Sequence, residues 1–172
     1  KARVSVHDPS IFKAEDGTYY VWGSHIEAAK SKDLQNWTRF TNGYATVNNV
    51  EFGDLSKNLK KAFDWAGEDL EDCDITKPNS SGFGVWAPDV IWNPDYVNSD
   101  GTKGAYLMYF CTSSTYMCSV IGFAASKNLE GPYTFVDTLI YSGFTENDKY
   151  VTSSTKNVNR KYTSTNVDEL IA

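Results

Sequence analysis

The sequence predicts an all-β chain made of two consecutive blades of a β-propeller. Aromatic residues make up 15% of the 172 residues, and aromatic side chains favour strands. A pattern of four short apolar runs split by turn residues occurs twice. Without its long loops each copy is about 40–50 residues, the size of one four-stranded propeller blade.

The first copy opens at "VHDPSIF", Val6–Phe12. Its strand-like runs are Ser10–Ala14, Thr18–Ser24, Ile26–Ser31 and Thr38–Phe40, broken by Glu15–Gly17, His25 and Lys32–Trp37. The second copy opens at "WAPDVIW", Trp86–Trp92, and its runs are Asp89–Asn93, Ala105–Cys111, Ser119–Ser126 and Thr134–Val136. Both copies carry an Ala-x-Ser-Lys-(Asp/Asn)-Leu-(Gln/Glu) stretch followed by a turn and an aromatic residue, at Ala29–Gln35 and at Ala124–Glu130. Two segments separate these pieces: a polar stretch from Thr41 to Gly84, expected as loop, and "NPDYVNSDGTKG", Asn93–Gly104, rich in turn residues. Residues 1–143 are therefore expected as two blades, and residues 144–172 as a long polar loop leading toward a third. Two blades do not close a ring, which needs roughly four or more. The expectation is that another polypeptide supplies the rest.

Composition excludes several classes. The formal net charge is −6 and no Lys/Arg-rich run occurs, so the electrostatic footprint of a nucleic-acid binder is missing. No apolar run approaches the roughly 20 residues that span a bilayer. The cysteines are Cys73, Cys111 and Cys118, without the spacing of a zinc site. Cys111 is expected to be a small buried hydrophobe.

Meander geometry then gathers the polar residues. Neighbouring strands run antiparallel, so the start of a blade's first strand lies beside the end of its second. His7 and Asp8 come together with Gly23–His25 in the first copy. In the second, Trp86 and Asp89, at the expected strand start, lie near Cys111–Tyr116, including Ser114 and Tyr116. All fall on the rim of a propeller channel, and both histidines of the chain are among them. Taken singly, Asp8 before Pro9 also fits a turn acceptor, Trp86 a core residue and Asp89 a strand cap. Convergence favours a site. Carboxylates beside aromatic rings fit glycoside hydrolysis, in which an inverting enzyme sets a base and an acid about 6.5–9.5 Å apart. No nucleophile elbow or phosphate loop competes.

The motifs "VHDPSIFKAEDGTYYVWGSH", "AAKSKDLQNW", "VWAPDVIWNP" and "FAASKNLEGPY" resemble glycoside hydrolase family 43, and within it the endo-acting α-1,5-L-arabinanases. The resemblance runs over residues 4–143. It implies a five-bladed propeller of which this chain supplies the first two blades, secretion to the extracellular space or periplasm, and action on arabinan. It also implies that Asp8 is the general base. The pKa-tuning aspartate and the acid glutamate belong to later blades and match nothing here. His7, His25, Trp86, Asp89, Ser114 and Tyr116 are then expected near the base or the substrate. The family further implies a calcium or other ion in the channel, with ligands mostly outside this chain. A β-xylosidase, an α-L-arabinofuranosidase or a non-catalytic carbohydrate-binding propeller are the alternatives.

Overall fold

The computed structural model describes residues 1–67, 75–78, 84–113 and 118–143. Two antiparallel four-stranded meanders follow one another. The first contains β1 (Ser10–Lys13), β2 (Tyr19–Gly23), β3 (Glu27–Ser31) and β4 (Thr38–Arg39). The second contains β5 (Gly84–Val97), β6 (Lys103–Ser113), β7 (Cys118–Ser126) and β8 (Thr134–Gly143). In each sheet spatial order equals chain order, the arrangement that tight turns between sequential strands produce. All the expected strand runs become strands. The β1/β2 turn is closed by Asp16, whose carboxylate accepts from the Thr18 N–H and hydroxyl, both at 2.9 Å. The Lys32 ammonium at 2.9 Å, together with those bonds, holds its carboxyl well below the usual range. At the turn after β3, Asp33 accepts from the backbone N–H groups of Gln35 and Asn36 at 2.9 and 2.7 Å, an Asx turn.

The stretch from Thr41 to Gly84 is not all loop. It contains α1 (Leu55–Asn58), capped by the Asp54 side chain, and α2 (Lys60–Ala66). Leu55, Leu59, Ala62, Phe63 and Ala66 are each buried, and their spacing of three and four residues is the helical period. The stretch read as polar because Lys57, Lys60, Lys61 and Asp64 occupy the other face. Asn93–Gly104 is also shorter as a loop than its turn residues imply. β5 continues to Val97, β6 resumes at Lys103, and Gly101 turns the hairpin at φ +80°.

The core lies between the sheets and the helices. Trp22, Ile26, Val85, Val90, Met108, Phe110, Ala124 and Tyr133 pack there with Phe52, Leu55, Leu59 and Phe63. Burying each large apolar side chain contributes about 1.5–3 kcal/mol. Phe12 meets Tyr106 edge to face at 5.8 Å, and Lys30 pairs with Glu130 across the sheets at 2.5 Å. The Trp65 indole N–H reaches the Ser119 and Ser142 carbonyls at 3.0 and 3.1 Å, which fastens α2 to β7 and β8. Cys118 is buried, whereas Cys111, expected to be buried, is only partly so. Burial still pushes its thiol pKa up. Cys73 and the expected loop at 144–172 lie outside the described residues.

Candidate active site

Asp8 stands just before β1 in the left-handed region, at φ 50°. Aspartate tolerates that region better than most residues, though such a conformation persists only where its surroundings hold it. The end of β2 provides the hold. The Ser24 N–H donates to the His7 carbonyl at 2.8 Å, and the Ser24 hydroxyl donates to Asp8 Oδ2 at 2.7 Å. His7 Nδ1 approaches the same oxygen at 2.9 Å. Both side-chain partners therefore fall on Oδ2, and Asp8 Oδ1 carries no hydrogen bond among the described residues. The Asp8 side chain keeps 45% of its surface open and His7 76%, while Ser24 is 1% exposed. Gly23 makes this close approach possible, since a Cβ there would sit 2.3 Å from the His7 carbonyl oxygen and from Val6 Cγ1.

The turn between β2 and β3 points at the second sheet. His25 and Ile26 are both left-handed, at φ 69° and 58°. Ile26 is a strained choice there, and it is 2% exposed, so core packing offsets the strain. The His25 N–H donates to the Val85 carbonyl at 2.9 Å. Its ring meets Trp86 edge to face at 4.7 Å. The Tyr44 hydroxyl accepts from the Val85 N–H at 3.0 Å and lies 3.5 Å from His25 Nδ1. Burial pushes the Tyr44 pKa up to about 12, so the hydroxyl stays protonated.

Trp86 ends the first paired stretch of β5, opposite Cys111, and pairing resumes at Asp89 opposite Tyr109. Ala87 and Pro88 thus form a bulge with one extra residue, and Ala87 is left-handed at φ 44°. The Ala87 N–H leaves the ladder and donates to Ser24 Oγ at 3.0 Å. Asp89 is therefore not a strand start, as its place in the sequence implied, but a position inside β5. It is exposed, and its carboxylate takes no part in the hydrogen bonds that join Asp8, Ser24, Tyr44 and the β5 bulge. His7 does contact Asp8, as expected. His25 instead contacts Trp86 and Tyr44. Ser114 and Tyr116 lie outside the described residues. The sequence reading missed Tyr44, inside the supposed loop, and treated Ser24 only as part of Gly23–His25. A polar residue two places after a strand tryptophan and directly before a histidine was the available signal for Ser24.

No group of three or more His, Cys, Asp or Glu side chains placed to hold a metal ion occurs among the described residues. The described residues of this chain do not by themselves make the implied ion site.

Asp8 is thus a half-open carboxylate just before β1, held through one oxygen and tied through Ser24 to the bulge of the second sheet. Comparison with known proteins specifies the kinship. No family model matches the chain. The extracellular endo-α-(1→5)-L-arabinanase of Thermotoga petrophila is 35% identical over 139 residues, covering 80% of this chain and 25% of its own length. A crystal structure of the endo-1,5-α-L-arabinanase from T. petrophila superposes with a TM-score of 0.65 at 33% identity, over 94% of this chain and 31% of that one. Extracellular endo-α-(1→5)-L-arabinanase 2 of Bacillus subtilis is 34% identical over 160 residues, 91% of this chain and 29% of its own. The family 43 glycoside hydrolase YxiA from Bacillus licheniformis superposes with a TM-score of 0.60 at 34% identity, over 83% of this chain and 27% of that one. Over most of its length the chain is thus a homologue of family 43 endo-arabinanases, and it spans between a quarter and 29% of the curated relatives it matches.

Proposed function

We propose that this chain is the base-carrying part of an extracellular glycoside hydrolase that cleaves α-1,5-linked L-arabinan with inversion. The carrying observation is Asp8. Its Oδ2 is held by Ser24 and His7, its Oδ1 carries no hydrogen bond among the described residues, and the side chain is 45% exposed. An ionised carboxylate in that state accepts a proton from a water, which attacks the anomeric carbon as the glycosidic bond breaks on the opposite side. Trp86, partly exposed and edge-on to His25, offers a flat surface beside the base for a furanose ring. Aromatic faces take up apolar sugar surface well.

The acid that protonates the leaving oxygen, and the carboxylate that tunes it, come in this reading from further blades of a five-bladed ring on the remainder of the protein or on a second polypeptide. Any channel ion would be held mainly there as well. The supporting facts are the homology to arabinanases, whose length this chain covers only in part, and the two blade-like meanders.

The test is Asp8→Asn in the complete protein, assayed on linear arabinan with the anomeric product followed by NMR. The expected result is a loss of at least about 10³-fold in kcat with the melting temperature retained, since the substitution removes the base without removing volume. Activity within tenfold of wild type would remove Asp8 from the role. Retention of configuration in the product would remove the inverting mechanism.

A further inference from the structure

We infer that Ser24 is the positioning residue that aims the Asp8 carboxylate and ties it to the β5 bulge; this rests on the reading of Asp8 as the base. Three groups could set the direction of that carboxylate: His7, the local backbone and Ser24. His7 is 76% open to solvent, so water competes for its bond and its side chain is free to leave. The backbone at φ 50° is a strained state that needs support rather than giving it. Ser24 is 1% exposed, and both its hydrogen-bonding roles are used. Its hydroxyl proton goes to Asp8 Oδ2 at 2.7 Å, and its oxygen accepts from the Ala87 N–H at 3.0 Å. The Ala87 bond matters because it fixes the proton. An oxygen already accepting from an amide turns its own hydrogen away from that amide, here toward the carboxylate. The Ser24 N–H also grips the His7 carbonyl, so one residue holds the backbone and the side chain of the His7–Asp8 unit together.

This arrangement has a chemical consequence. Engaging Oδ2 from a buried donor leaves Oδ1 to take the water. Through Ala87, the same hydroxyl registers the base against Trp86, which precedes Ala87 in the bulge. Ser24 thus couples the position of the base to that of the aromatic surface on the next blade.

The test uses Ser24→Ala and Ser24→Thr in the complete protein, with kcat and KM on linear arabinan and the melting temperature measured side by side. For Ser24→Ala the expected result is a fall in kcat of about 10- to 100-fold, the range for a hydrogen bond to a charged group, with KM changed less than threefold. Ser24→Thr, which keeps the hydroxyl, should restore most of the rate. If Ser24→Ala does not accumulate folded, Ser24→Cys, a weaker donor of similar size, should show the same loss of kcat in smaller measure. A drop in melting temperature with unchanged kcat would overturn the inference and leave Ser24 as packing alone. Asp8→Asn separates the two claims: an inactive Asp8→Asn together with an unchanged Ser24→Ala kcat defeats only the role of Ser24, whereas an active Asp8→Asn defeats both.

Discussion

The two sheets follow one plan with unequal means. The strands of the first are 4, 5, 5 and 2 residues long, whereas those of the second are 14, 11, 9 and 10. The short sheet carries the candidate base, and it is held at the site by close backbone approach and by a buried serine. The long sheet carries its own bulge and is braced from outside by α1 and α2. A short sheet cannot stabilise a strained rim through its own ladder, so it borrows bonds from its neighbour: His25 from Val85 and Ser24 from Ala87. The long sheet can afford a break in its pairing between Trp86 and Asp89, because a continuous ladder runs on both sides of it. In this chain the candidate base resides on the less self-sufficient element, where positions are decided by partners.

Three substitutions sharpen this contrast. The largest effect is expected from Gly23→Ala. The new Cβ meets the His7 carbonyl oxygen and Val6 Cγ1 at 2.3 Å, and backbone cannot yield cheaply. Expected are a loss of several kcal/mol in stability and displacement of Asp8 from Ser24, read as a fall in melting temperature with loss of arabinan hydrolysis by the complete protein. A variant with unchanged melting temperature would show that the short sheet tolerates a wider spacing at its rim than the structure allows.

Glu51 tests the segment that joins the two sheets. Its side chain is 1% exposed, its Oε2 has no hydrogen-bond partner among the described residues, and burial, with repulsion from Glu27, pushes its pKa up to about 8. The folded state therefore keeps a proton that the unfolded chain releases near pH 4.5. Between about pH 4.5 and 8 the native state binds more protons than the unfolded one, so this residue makes stability fall as pH rises, by about 1.4 kcal/mol per unit. Glu51→Gln should flatten that slope. Denaturant midpoints at pH 5 and pH 8 should converge in the variant and diverge in the wild type. Equal slopes would place Glu51 in contact with solvent.

Asn58 tests the bracing of the long sheet. Its amide donates to the Phe52 and Tyr133 carbonyls at 3.0 and 2.7 Å, and its oxygen accepts from the Phe135 N–H at 2.9 Å. Asn58→Ala leaves these backbone groups unpaired and should cost about 1–3 kcal/mol, with hydrogen-exchange protection lost first at the start of β8. Uniform loss of protection across both sheets would mean that they unfold as one unit.

Most strands were legible in the sequence because alternation and turn residues are local. Ser10–Lys13, Glu27–Ser31 and Cys118–Ser126 fall within a residue or so of their expected runs. The helices were missed: the spacing of Leu55, Leu59, Ala62 and Phe63 carries the helical period, but charged residues on the outer face made the stretch read as polar loop. The bulge was not legible. "WAPD" contains a proline that cannot donate to a ladder, but nothing local says that pairing resumes on its far side. Asp89 was consequently placed at a strand start rather than inside β5.

The sequence by itself determined the two-copy plan, the strands, and the nearness of Asp8 to the end of β2, because antiparallel pairing between sequential strands needs only short-range pattern. The tertiary structure alone decided which oxygen of Asp8 is held, that the Ser24 hydroxyl bridges to Ala87, that His25 turns to Trp86 and Tyr44 rather than to Asp8, and that Glu51 is sealed from water. Each of these depends on contacts between sheets or between a sheet and the segment that joins them. Their angle and spacing are set by how the whole core packs, which no window of neighbouring residues encodes.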